Sequence, residues 1–230
     1  MYKYDQKPAT RIAGSPAKMV QVILGLALFL TAGQHVNVTH ATPKTSDSGR
    51  WVSYSAHYTE TVSTRDASGV ATDKQTFTEE VRSEDGAFLS VVKENGQAIS
   101  GKLSQADGHG FSLDYLKKRA IDDGVSPRRH PFVPPDPILG TKVILGVTCD
   151  IYPLHMHLGN VTDNGKTNGT ICVDMNADII GSVEIHSYIA GIRQDYTKQL
   201  TWIDLNSPVD PSTIKVPDGF TTLVPSTGQH

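Results

Sequence analysis

Trp51-Val52-Ser53-Tyr54-Ser55-Ala56-His57-Tyr58-Thr59 is the stretch on which the fold turns. Val52, Tyr54, Ala56 and Tyr58 fall on one side of an extended chain, and Ser53, Ser55, His57 and Thr59 fall on the other. A period of two is that of a half-buried strand. Downstream, turn-prone clusters recur at Asp66-Ala67-Ser68-Gly69, Ser83-Glu84-Asp85-Gly86 and Lys93-Glu94-Asn95-Gly96. Their spacing is that of an antiparallel meander, with Gly and Asn supplying positive φ angles. The intervening Val70–Arg82 segment is rich in Thr and charge, which predicts a strand solvated on one face.

The rhythm breaks at residues 111–124 (FSLDYLKKRAIDDG), where Leu113, Leu116 and Ala120 recur at helical spacing. Ser112 can cap the start and Gly124 the end, so one short amphipathic helix is expected here. Five prolines make residues 125–138 an extended crossing loop. Strand patterning then resumes over 141–145, 147–158, 169–176, 182–189 and 195–205. A Ser207-Pro208-Val209-Asp210-Pro211 turn leads into Ile214-Lys215-Val216-Pro217.

Cys149 and Cys172 are the only cysteines. Placing them directly opposite each other on antiparallel strands centres the turn between Asn160 and Val161, inside a turn-prone stretch. A disulfide between them stabilises the fold by roughly 3 kcal/mol and implies an oxidising compartment. The N-terminus agrees with that. Lys3, Lys7, Arg11 and Lys18 precede an apolar run from Met19 to Ala32, the pattern of an export segment. Small residues at Thr31-Ala32-Gly33 and Thr39-His40-Ala41 could serve a peptidase, and an uncleaved anchor is the alternative. The expected organisation is a signal peptide or anchor over 1–41, a polar tether over 42–50 and a single β domain over 51–230. That places the mature chain in the periplasm or outside the cell, or holds it at a membrane by its N-terminal helix.

A net charge of -3 with nearly balanced signs excludes an electrostatic invitation to nucleic acid. The 20 glycines and 13 prolines suit many short strands better than long helices. No motif carries catalysis or a cofactor. Gly165-Lys166-Thr167 lacks the spacing and following helix of a phosphate loop. Gly110-Phe111-Ser112-Leu113-Asp114 lacks the second glycine of a nucleophile elbow. His155 and His157 share one side of a strand, but the expected register puts His186 abreast of Cys172, about 20 Å away at strand rise. His130 lies in the proline-rich loop, so no metal site is expected. Asn37, Asn160 and Asn168 head Asn-x-Thr sequons, which matter only in a eukaryotic secretory pathway.

Gly140-Thr141-Lys142-Val143-Ile144-Leu145-Gly146-Val147 followed by Cys149-Asp150-Ile151-Tyr152 resembles a strand pair of outer-membrane lipoprotein-carrier-like proteins. Residues 173–180 resemble their strand, Asp, turn, strand hairpin. Residues 201–205, 209–212 and 214–220 resemble their closing strand and tail. The resemblance implies a strongly curved antiparallel meander sheet, an unclosed half-barrel, with a helix or loop against its concave face. It also implies binding of lipid-modified proteins or hydrophobic ligands, or envelope-stress sensing; the disulfide departs from the plain carrier pattern. The functional expectation is a non-enzymatic exported protein without a cofactor. Its concave face, lined by Tyr54, Tyr58, Leu154, Met156 and Trp202, would hold a lipid, an acyl chain or a lipidated protein. The alternatives are that these side chains form a filled core, or that the domain is an envelope interaction module whose edge strands pair with a partner.

Overall fold

A computed structural model describes residues 51–66, 68–125, 137–156, 166–189 and 192–224. The expected export segment, the tether, most of the 125–138 loop, and Asn37, Asn160, His130 and His157 lie outside the described residues.

Twelve strands are described: β1 (Tyr54–Arg65), β2 (Ala71–Arg82), β3 (Phe88–Glu94), β4 (Gln97–Ser104), β5 (His109–Asp114), β6 (Arg119–Val125), β7 (Gly140–Ile144), β8 (Val147–Met156), β9 (Lys166–Asp174), β10 (Ile179–Ile189), β11 (Ile192–Asp204) and β12 (Thr221–Leu223). They form one open sheet in the order β12-β6-β5-β4-β3-β2-β1-β11-β10-β9-β8-β7. Two meanders, β1–β6 and β7–β11, are joined where β1 pairs antiparallel with β11. Only β12 runs parallel to its neighbour. Among the described residues no helix is long and apolar enough to cross a membrane.

The turns follow from their residues. Gly69, Gly86 and Gly108 have positive φ, and each donates its N–H to the carbonyl three residues earlier. This is a type I turn closed by a left-handed bulge residue. Asn95-Gly96 and Leu145-Gly146 have positive φ at both positions, which matches the twist of the flanking strands in two-residue hairpins.

The helix expected over 111–124 is not formed. These residues are the β5–β6 hairpin, in which Leu113 opposes Ala120 and Asp114 opposes Arg119. Asp114 Oδ1 accepts from the Lys117 N–H, and Lys118 takes φ 50°, which closes a four-residue turn where a helix would continue. Leu113 and Ala120 are buried in both readings, whereas Leu116 sits exposed on the turn. Helical spacing and cross-strand pairing happen to bury the same two residues.

The apolar side of the sheet changes between its two meanders. On one face, Tyr54, Ala56, Tyr58, Leu200 and Ile179 cluster with the disulfide and Val147. On the other face of β2–β6, Leu103, Phe111, Leu113 and Ala120 form a second core with Ala87 and Ile214. Val209, Val216 and Phe220 of the C-terminal tail cover that core. The tail is set by a 3-10 turn, Pro211–Thr213, capped by the Asp210 carboxylate on the Ser212 N–H. The sheet also curls. Arg82 on β2 bonds Asp178, in the turn between β9 and β10, at 2.7 Å, although β1 and β11 lie between those strands. The Tyr54–Tyr58 face is therefore the concave one.

The sulfurs of Cys149 and Cys172 are bonded across the neighbouring strands β8 and β9. The register differs from the expected one: Ile151, not Cys149, stands opposite Cys172, so the bridge is diagonal. Its Cα–Cα distance is 5.3 Å, within the range a disulfide spans. A side chain on Gly181 of β10 would meet Cys149 Sγ at 2.8 Å, so only glycine lets that strand pass the bridge.

Candidate functional site

The ladder registers place side chains in rows across the concave face. Tyr152, Ile171, Val183, Lys198 and Glu60 form one row on β8, β9, β10, β11 and β1. Leu154, Gly169, Ile185, Tyr196 and Val62 form the next. The β8–β10 side of these rows is apolar, with Tyr152, Leu154, Ile171, Val183 and Ile185 buried. Toward β2–β6 the same face turns polar, with Glu80, Ser90, Lys102 and Ser112 in succession.

A buried ion network occupies the seam. Lys198 on β11 is 2% exposed, lies at an inward position between Tyr196 and Leu200, and bonds Glu80 of β2 at 2.7 Å. Its ammonium stands 3.7 Å from Glu60 and 4.2 Å from the centre of the Tyr58 ring. Glu60 also accepts from Thr78 at 2.5 Å and from the Tyr196 hydroxyl at 3.1 Å. The Tyr58 hydroxyl is buried beside this network. Further along β2, Arg82 lies over the rings of Trp51, Tyr54 and Phe88 while bonding Asp178.

Burial lowers the proton affinity of Lys198, but Glu80 and Glu60 more than offset it and hold the pKa above the ordinary lysine value. Burial pushes the phenols of Tyr54, Tyr58 and Tyr196 upward, and the nearby carboxylates push them further. The sign of the pH dependence follows. Above about pH 10 the unfolded chain releases phenolic protons that the folded chain keeps, so ν is smaller unfolded and stability falls as pH rises. Lys198 acts in the same direction, since its raised pKa gives stability that is complete below the unfolded value and lost above it. Thermal midpoints should therefore fall from about pH 10 upward. In spectrophotometric titration Tyr54, Tyr58 and Tyr196 should ionise only as the fold opens; normal titration of all tyrosines in the folded state would contradict this.

On the polar arm, Lys102 Nζ donates to Ser112 Oγ and to Asp123 Oδ2, the latter at 3.1 Å. Ser112 in turn bonds Asp123 at 2.7 Å. Lys102, Ser112 and Asp123 thus form a cross-strand brace linking β4, β5 and β6.

The candidate residues do not all come together. Tyr54 and Tyr58 are 1% exposed and belong to the packed core beside the ion network. Leu154 lies in the apolar rows, and Met156 ends β8 opposite Thr167. Trp202 does not join them. A bulge on β11 between the partners of His57 and Tyr58 turns it away, and it stands 44% exposed with its ring 4.6 Å from that of His57. His186 is not abreast of Cys172, where the strand pattern put it. Asp174 caps a tighter turn, and Ser182 takes that place. His155 and His186 flank Asn168 on adjacent strands, and His186 bonds Asp195 at 2.7 Å. Among the described residues no group of three or more His, Cys, Asp or Glu side chains converges to hold a metal ion. Lys166-Thr167 opens β9.

Sequence reasoning missed Glu60, Glu80, Arg82 and Lys198. A signal was available for Glu80 and Lys198, each of which stands at a position whose neighbours two residues away on both sides are buried.

No family model matches the sequence, and no curated protein matches it. Solved structures similar to it include an uncharacterized conserved protein from Thermus thermophilus, with TM-score 0.43 and 7% identity over 74% of this chain and 90% of that one. A LolA superfamily protein from Nitrosomonas europaea gives TM-score 0.32 and 8% identity over 70% of this chain and 90% of that one. MucB of Pseudomonas aeruginosa, solved in complex with MucA, gives TM-score 0.29 and 12% identity over 72% of this chain and 56% of that one. The similar structures thus include a member of the superfamily that residues 140–220 resemble, at TM-scores below 0.5 that carry neither its fold nor its function to this chain.

Proposed function

We propose that this chain is an exported, non-enzymatic binding protein that encloses an apolar ligand, a lipid or acyl chain, against the concave face of β8–β11. The observation that carries this reading is the apolar field of Tyr152, Leu154, Ile171, Val183 and Ile185. It lies on the inner side of a curled, open sheet, and all five side chains are buried there. Ligand sites bury most of an apolar ligand against such side chains. The ion network bounds the field on the β1 side, so a charged headgroup would meet Lys198, Glu60 and Glu80 rather than more apolar surface. Export is supported by the N-terminal cationic and apolar pattern, and the disulfide fits an oxidising space.

The test is uptake of a fluorescent fatty acid by full-length protein recovered from the exported fraction. Saturable enhancement is expected, and Ile185→Trp, which fills the field with a larger ring, should weaken it about tenfold. Protein that is folded by circular dichroism and takes up no probe would overturn the reading.

A further inference from the structure

The two ends of the sheet are finished differently. At one end the tail strand β12 pairs with β6 through Thr221, Thr222 and Leu223, which covers part of that edge. At the other end β7 pairs only with β8, and among the described residues no backbone group pairs with its outer side. The Leu145-Gly146 turn closes on Ile144 and Val147, a two-residue hairpin. Such a turn closes on a hydrogen-bonded pair, so alternate residues Thr141 and Val143 direct their N–H and C=O groups outward.

Thr141 and Val143 share one face of β7 by alternation, with Val143 65% exposed, while Leu139 before the strand and Leu145 in the turn after it are 61% and 55% exposed. Ile138 beside them is 53% exposed. An open edge with exposed apolar residues is the arrangement that accepts another strand. Lys142 lies at the centre of β7, exposed, with no ion-pair partner among the described residues. A second copy pairing over all five residues of β7 would be centred on Lys142 and would set ammonium against ammonium, which is unfavourable.

We infer that β7 is a docking edge for an extended segment of another protein, apolar at alternate positions and carrying a carboxylate opposite Lys142. The incoming strand bonds Thr141 and Val143 through its backbone. Its apolar side chains lie beside Thr141 and Val143, with Leu139 and Leu145 exposed at the two ends of the strand, and its acid selects the register at Lys142.

The probe is a labelled nonapeptide of alternating valine and threonine with one central glutamate, titrated into full-length protein by fluorescence anisotropy. A control peptide with central lysine should bind about threefold more weakly. Lys142→Glu should invert that preference. Val143→Pro removes an outward N–H without touching the ladder to β8, so it should weaken binding about tenfold while the thermal midpoint holds. Equal binding by Val143→Pro, or a preference unchanged in Lys142→Glu, would overturn the inference. So would a concentration-dependent dimer of the wild-type protein that Val143→Pro abolishes, because it would assign the edge to a second copy. Binding to phosphatidylcholine vesicles that is lost in Val143→Glu but kept in Val143→Pro would assign the patch to a lipid surface instead. Fatty-acid uptake is read on the same variants; it depends on β8–β11 and should be untouched by all three substitutions.

Discussion

Lys198→Met should destabilise the protein by about 3–5 kcal/mol, the cost of removing one partner from a buried ion pair. The ammonium stands among two carboxylates that are 8% and 5% exposed, Glu60 and Glu80. Taking it away leaves both acids in a poorly solvated place with only the hydroxyls of Thr78 and Tyr196 directed at Glu60. Methionine fills nearly the same volume, so loss of packing contributes little. The control is a triple variant, Lys198→Met with Glu60→Gln and Glu80→Leu. Replacing a buried ionic group as a whole by groups of similar volume is near neutral, so most of the stability should return. Urea unfolding of the single and triple variants measures both. A single variant within about 1 kcal/mol of wild type would mean the acids are solvated or already neutral.

Losing the bridge between Cys149 and Cys172 comes next in size. The cysteines are 23 residues apart, and opening a loop of this length costs roughly 3 kcal/mol. For a domain of this size that lowers the thermal midpoint by about 6–12 °C. Both cysteines are buried at 1% and 2% exposure, so alanine is a better replacement than serine, whose hydroxyls would lack partners there. The double variant Cys149→Ala with Cys172→Ala and the reduced wild-type protein should melt at similar temperatures. A reductant that leaves the wild-type midpoint unmoved would show that the sulfurs are not joined.

The parts of this fold that were readable in the sequence are those fixed by short-range chemistry. Alternation over residues 51–59 marks β1, and Asn95-Gly96 marks a hairpin because both residues accept positive φ. The two cysteines identified neighbouring strands even though the register was off by two residues, since a shift of two keeps both on one face. What escaped depended on partners far away in the chain. Nothing near Tyr54 or Tyr196 announces that β1 pairs with β11. The β5–β6 hairpin was hidden because a helix and a hairpin bury Leu113 and Ala120 equally well. For the candidate site, Leu154 was placed on the correct face, whereas one bulged residue on β11 was enough to turn Trp202 to the other. Lys198 was overlooked although it breaks an alternation of buried residues, the one local sign that an ion lies inside.

The central position of β1 carries a kinetic consequence. It is the first of the described strands to leave the ribosome, yet one of its edges stays bare until β11 has followed. The β1–β6 meander therefore waits with an unprotected flank through most of synthesis, at risk of capture by another nascent chain. Sheet closure between such distant segments is also slow. Refolding from urea should accordingly be much slower than hairpin formation, and its yield should drop as protein concentration rises.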